Sequence, residues 1–241
     1  MNNSNHTTKL FFASDFHLGY NDVESKREFR ISAWIKSIPN NSELFLVGDI
    51  FDFWIEYNGI PNNNHPIFLD ALDEALAKDI NIYMFKGNHD MWLSNFFRQK
   101  GIVIIDNELI ISRNGYNFYI HHGDGILKGE FNYNTLKKIL RCPMTQYIAK
   151  KINPNLLSKM AYKWSHRGHI EKQIPKDTPT NKITDFANNI LESSNINYFI
   201  FGHYHYKKSI AVNSKSQIIL LGDWTKANSY AVFDNNELRL Y

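Results

Sequence analysis

Five short polar clusters constrain this chain more than any other feature, because each directly follows an apolar run of strand length. They are Asp15-Phe16-His17, Gly48-Asp49-Ile50-Phe51-Asp52, Gly87-Asn88-His89-Asp90, His121-His122-Gly123-Asp124 and Gly202-His203-Tyr204-His205. The runs before them, at 10–13, 44–47, 82–85, 116–120 and 198–201, have the aromatic and branched content of strands. In α/β proteins, sites assemble at the carboxyl ends of strands. A glycine beside or within four of the clusters lets the backbone turn sharply or approach a ligand closely. Imidazoles and carboxylates together suit transition metals such as Mn, Fe or Zn. The tetrapeptide Gly-Asn-His-Asp alone is expected by chance in on the order of one chain in a thousand. Five such clusters in one chain are not a set of unrelated surface turns.

The rest of the chain reads as an α/β protein. Further apolar runs at 102–105, 109–112, 209–212, 218–221, 230–233 and 238–241 are strands. Phe29, Ala33, Trp34 and Ile38 fall at helical spacing, as do Ile67, Leu69, Leu72, Leu76 and Ile80. Strand and helix alternate early and strands follow one another late, which predicts mixed sheets. Residues 126–180 break this rhythm with consecutive helices at 133–141, 143–152 and 154–167, with Pro143 and Pro154 at first helical positions. We therefore expect a core of residues 1–125 and 181–241 carrying a helical cap at 126–180. A chain of 241 residues, 43% hydrophobic and 21% charged, can bury a sizeable core and is not disordered. The 15% aromatic share must be buried or used at a site.

The single Cys142 excludes an internal disulfide framework and fits a reducing cytosol. The first fifteen residues lack a cationic segment followed by an apolar run, so no signal peptide is expected. No stretch approaches 18 apolar residues, so no membrane-spanning helix is expected. The near-neutral total of +3 hides a polarity. Residues 126–180 hold 11 Lys/Arg against 3 Asp/Glu, a net +8, which leaves −5 for the rest of the chain. Leu136, Ile139, Leu140, Met144, Tyr147, Ile148 and Ile152 form an apolar stripe at spacings of mostly three to four residues, and Leu156, Leu157, Met160 and Trp164 form another. Such a hairpin packs its apolar face on itself, or it forms a lid that accepts acyl chains and meets anionic headgroups.

The order Asp-x-His, Gly-Asp-x-x-Asp, Gly-Asn-His-Asp, a His-bearing turn and Gly-His-x-His resembles that of the calcineurin-like metallophosphoesterase superfamily, across residues 15–205. The resemblance implies two mixed β-sheets packed face to face and flanked by helices, with a dinuclear metal site at one edge. Carried over by motif, it assigns Asp15, His17 and His205 to one metal, and Asn88, His122 and His203 to the other, with Asp49 bridging. Of the adjacent His121 and His122, the Gly-Asp that follows matches the family turn best with His122. Two divalent ions, Mn²⁺ by resemblance with Fe or Zn as alternatives, would generate a bridging hydroxide as nucleophile and stabilise charge at phosphorus. His89 would contact the phosphoryl group or protonate the leaving oxygen, with Asp90 orienting it. Asp52 and Asp124 would hold the ligand loops.

Within that superfamily, the stretch 48–56, Ser14-Asp15-Phe16-His17-Leu18-Gly19 and Leu221-Gly222-Asp223-Trp224 are similar to the UDP-2,3-diacylglucosamine hydrolases of lipid A biosynthesis. The resemblance implies cleavage of the substrate's pyrophosphate into UMP and 2,3-diacylglucosamine 1-phosphate. It also implies a cytoplasmic protein, peripheral on the inner face of a Gram-negative inner membrane, with its lid over a phosphorylated lipid substrate. By position, Glu130 matches an acidic substrate contact of that family, and Trp164, His166, Arg167 and His169 of the cap would also touch substrate. One departure stands out: the best-studied branch of those hydrolases has Gly-Asn-Arg-Asp where this chain has Gly87-Asn88-His89-Asp90. A metallophosphoesterase for another phosphomonoester, phosphodiester or nucleotide is the nearest alternative. A nucleic-acid-binding protein using the basic cap is an alternative of another class, but no nucleic-acid motif is present and no nucleic-acid partner is expected.

Overall fold

A computed structural model of the chain describes residues 8–19, 26–57, 59–61, 65–127, 129–153, 156–157, 160 and 178–241. Two sheets face each other. The first runs β13-β12-β1-β2-β5-β6, from β1 (Leu10–Ala13), β2 (Glu43–Leu46), β5 (Asn81–Phe85), β6 (Val103–Ile105), β12 (Ala231–Asp234) and β13 (Glu237–Leu240). Within it β1, β2, β5 and β6 are parallel, while β12 and β13 pair antiparallel. The second runs β10-β11-β9-β8-β7, from β7 (Glu108–Arg113), β8 (Tyr116–His121), β9 (Tyr198–Phe201), β10 (Lys207–Ala211) and β11 (Gln217–Leu221). Here β8, β9 and β11 are parallel and the two edge strands antiparallel. A small hairpin of β3 (Glu56–Tyr57) and β4 (Ile60–Pro61) stands apart. The expected sandwich of two mixed sheets is the fold observed.

Strand alternation explains the layers. Side chains at successive positions point to opposite faces, and parallel strands covered on both faces are apolar throughout. Phe12, Phe45, Phe85, Phe118, Ile200, Leu221 and Phe233 fill the space between the sheets. Phe12 stacks on Phe45 at 4.9 Å within its sheet and meets Phe118 of the other sheet at 5.9 Å. The neighbouring positions Phe11, Ala13, Leu44, Leu46 and Met84 face outward, onto α1 (Lys26–Lys36), α2 (Pro66–Ala77) and α3 (Asn95–Gln99). On the far side Tyr119, Phe199, Phe201 and Leu220 pack under Ile183 and Ala187 of the last helix, α6 (Thr178–Leu191). The high aromatic content is thus spent mainly on the three apolar layers. The short α3 and the whole of α6 are helices that periodicity had not singled out.

The helices α4 (Phe131–Arg141) and α5 (Pro143–Ala149) leave from the end of β8. Parallel strands β8 and β9 require a crossover, and this insertion, with α6, supplies it. Of the expected third cap helix only residues 156–157 and 160 are described, and these are helical. The stripe does not pack on itself among the described residues. Met144 is 70% exposed, with Ile139, Tyr147 and Ile148 also largely in solvent, as is Phe131 beside the stripe. What holds α4 in place is polar. Tyr133 Oη and Lys137 Nζ reach the same Asp124 Oδ2, at 2.6 and 2.7 Å. The Trp92 indole donates to Leu140 O at 2.8 Å, and Arg141 donates to Asp106 O at 2.7 Å. A small apolar seam of Ile55, Ala149 and Leu157, flanked by Phe53 and Trp92, adds to this.

Candidate metal centre

The parallel strands β1, β2 and β5 point one way, so the loops after them end side by side; those after β8 and β9 meet them across the gap between the sheets. The five clusters therefore converge. The loops are held in an unusual backbone conformation. Asp15, His17, Asp49, His203 and His205 all lie in the left-handed region, with φ of 55°, 46°, 52°, 67° and 55°. Every other non-glycine residue with positive φ among the described residues is an Asn or Asp, types that tolerate it best. Each such residue costs on the order of 1–3 kcal/mol and persists only where its surroundings over-determine it.

The side chains meet in three overlapping groups, the middle one being His17, Asp49 and His89. Asp15 Oδ1 lies 3.2 Å from His205 Nε2, and the Nε2 atoms of His17 and His205 face each other at 3.3 Å. Asp49 Oδ2 lies 3.9 Å from His17 Nε2 on one side and 3.3 Å from His122 Nε2 on the other. Asn88 Oδ1 sits 3.1 Å from His122 Nε2 and 2.9 Å from His203 Nδ1. Donor atoms of Asp15, His17 and His205 lie within 4.8 Å of one another, and so do those of Asp49, His122 and His203. The structure thus brings together all seven residues expected as ligands, with Asp49 between the two groups.

The donor chemistry suits a cation. His122 Nδ1 is 2.8 Å from Val47 O, and a carbonyl only accepts, so Nδ1 carries a proton and Nε2, once a cation displaces its own proton, turns its lone pair inward. That lone pair, Asn88 Oδ1 and Asp49 Oδ2 are then three acceptors converging on one point. Burial disfavours the charged Asp49 carboxylate, but the His122 and His89 imidazoles outweigh it and hold the carboxyl well below its usual range. Burial likewise lowers His122, and Asp49 reverses this, raising it to about 10. His203 is pushed down to about 4 by burial and by the neighbouring His122. Such a cluster shares either protons or a cation. His121 is no part of it: burial pushes its pKa down to about 3, and its Nδ1 accepts the Gly123 N–H at 2.8 Å.

Glycine is required where loops touch. A Cβ on Gly87 would run into the Asp49 carboxylate and backbone, and one on Gly202 would lie 2.7 Å from Asp15 Oδ2.

One expectation needs revision. Asp90 does not orient His89. Its fully buried carboxylate accepts the N–H groups of Gly87 at 2.8 Å, Asp49 at 3.3 Å, Ile50 at 2.7 Å and Phe51 at 3.3 Å. It stitches the Asn88 loop to the Asp49 loop, because four converging backbone donors satisfy a carboxylate better than one imidazole does. The side chain beside His89 is Asp52, with Oδ1 3.2 Å from His89 Nδ1 and 3.7 Å from His17 Nδ1. Burial lowers the His89 pKa, and Asp49 and Asp52 more than offset it, raising it to about 9.

Glu130 stands at the N-terminus of α4, where its Oε2 accepts Leu127 N–H at 3.0 Å. Trp164, His166, Arg167 and His169 lie outside the described residues. Sequence reading missed the Tyr133 and Lys137 contacts to Asp124 and the buried Arg27, for which a lone residue in a helix carries no signal.

Residues 8–207 match the family model described as calcineurin-like phosphoesterase. A UDP-2,3-diacylglucosamine hydrolase of Porphyromonas gingivalis is 26% identical over 253 residues, covering 97% of each chain. Enzymes of the same name from Pseudomonas syringae pv. tomato and Histophilus somni are 23% and 24% identical, covering 96% and 90% of this chain and 94% and 92% of their own. The family and the His/Asp groups together mark the convergence point as a divalent-metal site.

Proposed function

This chain belongs to the calcineurin-like phosphoesterase family, and on that premise we propose that it hydrolyses UDP-2,3-diacylglucosamine to UMP and 2,3-diacylglucosamine 1-phosphate. The observation that carries the reaction type is the convergence of six oxygen- and nitrogen-bearing residues around Asp49, with His89 Nε2 4.0 Å from its carboxylate. The substrate reading is supported by relatives of that name that match almost end to end, through the cap as well as the core.

In this reading Asp15, His17 and His205 would hold one divalent ion and Asn88, His122 and His203 the other, Mn²⁺ being the first choice. When bound, such ions polarise phosphoryl oxygens and lower the pKa of water. Asp49 lies between the two groups, where its carboxylate offsets like-charge repulsion. Water loses a proton to solvent as its oxygen bonds to the α-phosphorus, the bridging P–O bond breaks, and the bridging oxygen leaves on the 1-phosphate of the lipid. His89, oriented through Nδ1 by Asp52, turns Nε2 toward the phosphoryl group and donates a hydrogen bond to its oxygens.

The cap supplies the lipid side. Ile139, Met144, Tyr147 and Ile148 are exposed beside Lys138, Lys150 and Lys151. An apolar surface flanked by cations accepts acyl chains and anionic headgroups, which supports peripheral attachment to the cytoplasmic face of an inner membrane. Among the described residues no helix is long and apolar enough to cross one. The test is direct: purified protein with Mn²⁺ should release UMP from UDP-2,3-diacylglucosamine. No UMP, beside brisk turnover of a soluble phosphodiester, overturns the substrate reading.

A further inference from the structure

The left-handed ligand residues need something to hold them. For Asp49 it is Asp90, as described above. For His203 it is Asp15, whose Oδ2 accepts the His203 N–H at 2.9 Å. For His17 the N–H is held by Asp49 O at 3.0 Å, and its carbonyl is held by a residue no motif includes. Arg27, 6% exposed in the first turn of α1, donates from Nη1 to His17 O at 2.6 Å and to Phe16 O at 3.2 Å. Its own base is clamped. The adjacent Glu28 accepts the N–H groups of Ile67 and Phe68 at the start of α2, both at 3.0 Å on Oε1. Two neighbouring charges on one turn of α1 thus grip two different elements.

We propose that Arg27 is a positioning residue that sets the affinity of the Asp15–His17–His205 group for its divalent cation. The inference rests on the metal reading of the site given above. The physical argument is geometric. A residue at φ 46° outside Gly, Asn and Asp relaxes toward ordinary backbone unless both its peptide groups are tied. With its N–H held, rotation about the N–Cα bond of His17 moves its carbonyl and its imidazole together, so freeing the carbonyl would let the imidazole swing away from His205, 3.3 Å off, and from Asp15. A guanidinium can hold two carbonyls at once because its donors are fixed in a plane, and an ammonium holds them with less geometric constraint. Arg27 acts on the backbone of His17, a member of the Asp15 group, so its effect falls mainly on one of the two ions.

Calorimetric titration of the metal-free protein with Mn²⁺ tests this, the step belonging to the Asp15 group being identified by its loss in His205→Ala. In Arg27→Met that step weakens by roughly 10- to 100-fold, the range for residues that support a metal ligand, while the other step changes less than about threefold. Arg27→Lys gives an intermediate value, and excess Mn²⁺ restores turnover of bis(p-nitrophenyl) phosphate in both. Unchanged affinity at the Asp15 group in folded Arg27→Met overturns the proposal. So does equal weakening of both steps with a lowered Tm, which marks a purely structural residue. If Arg27→Met does not fold, Arg27→Lys and Arg27→Gln carry the same two readouts. The titration uses Mn²⁺ alone, so it stays readable even if the nucleotide lipid is not the substrate.

Discussion

Asp52 Oδ1 lies 3.2 Å from His89 Nδ1, and its own burial is outweighed by the His17 and His89 imidazoles, so its carboxyl stays well below the usual range. The pair leaves His89 Nε2 pointing at Asp49, 4.0 Å away. His89→Ala should lower kcat by roughly 10²–10⁴, the usual contribution of a placed proton donor, with metal content unchanged. Asp52→Asn should lower kcat less. Metal analysis beside steady-state kinetics checks both, and a loss of bound metal in His89→Ala would put His89 among the ligands instead.

Asp90 behaves differently because it acts on backbone. Asp90→Ala strands the N–H groups of Gly87, Asp49, Ile50 and Phe51. We expect metal affinity to fall by about 10- to 100-fold and stability by about 1–3 kcal/mol for the buried donors left unmet. If Asp90→Ala instead keeps its metals and loses only kcat, the orienting role read from the motif is restored.

Gly87→Ala adds one methyl at the tightest contact between loops, against the Asp49 carboxylate and backbone. Overpacking of this kind costs about 1–3 kcal/mol, and here the shift falls on the residue between the two metal groups. Titration with Mn²⁺ should reveal weakened binding at both steps, and wild-type affinity would mean that the loops part without cost.

Removing divalent ions should abolish turnover and lower Tm. A ligand at a hundredfold excess over its Kd stabilises by about 2.7 kcal/mol, which for a chain of this size raises Tm by roughly 5–10 °C. Thermal scans with chelator and then with Mn²⁺ measure it. A Tm that ignores Mn²⁺ counts against the site.

The cap's exposed apolar face should matter for lipid and for nothing else. Ile139, Tyr147 and Ile148 are all more than half exposed, and none is a candidate metal ligand. Replacing all three with Glu should lower kcat/KM on the nucleotide lipid at least about tenfold, since each lost apolar contact forfeits on the order of 1 kcal/mol. Hydrolysis of bis(p-nitrophenyl) phosphate should stay the same. An equal fall on both substrates would mean that the cap supports the site and not the lipid.

Much of this protein was legible in its sequence. Runs such as Leu10–Ala13 and Tyr198–Phe201 read as strands because parallel strands buried on both faces leave no polar positions. The seven candidate ligands were legible because their chemistry is local to the short motifs that carry them. By itself the sequence determined the sandwich, the residue types at its edge and the polarity between a cationic cap and an acidic body. Only the tertiary structure decided who serves whom. The sequence pointed to Asp90 as the partner of His89, and Asp52 stands there instead because of where β2 and β5 end relative to each other. Arg27 reaches His17 because α1 packs across the sheet, and Tyr133 and Lys137 find Asp124 because α4 folds back over β8. Such contacts depend on strand register, helix placement and the sign of a backbone dihedral, which long-range packing sets and no local pattern of residues encodes.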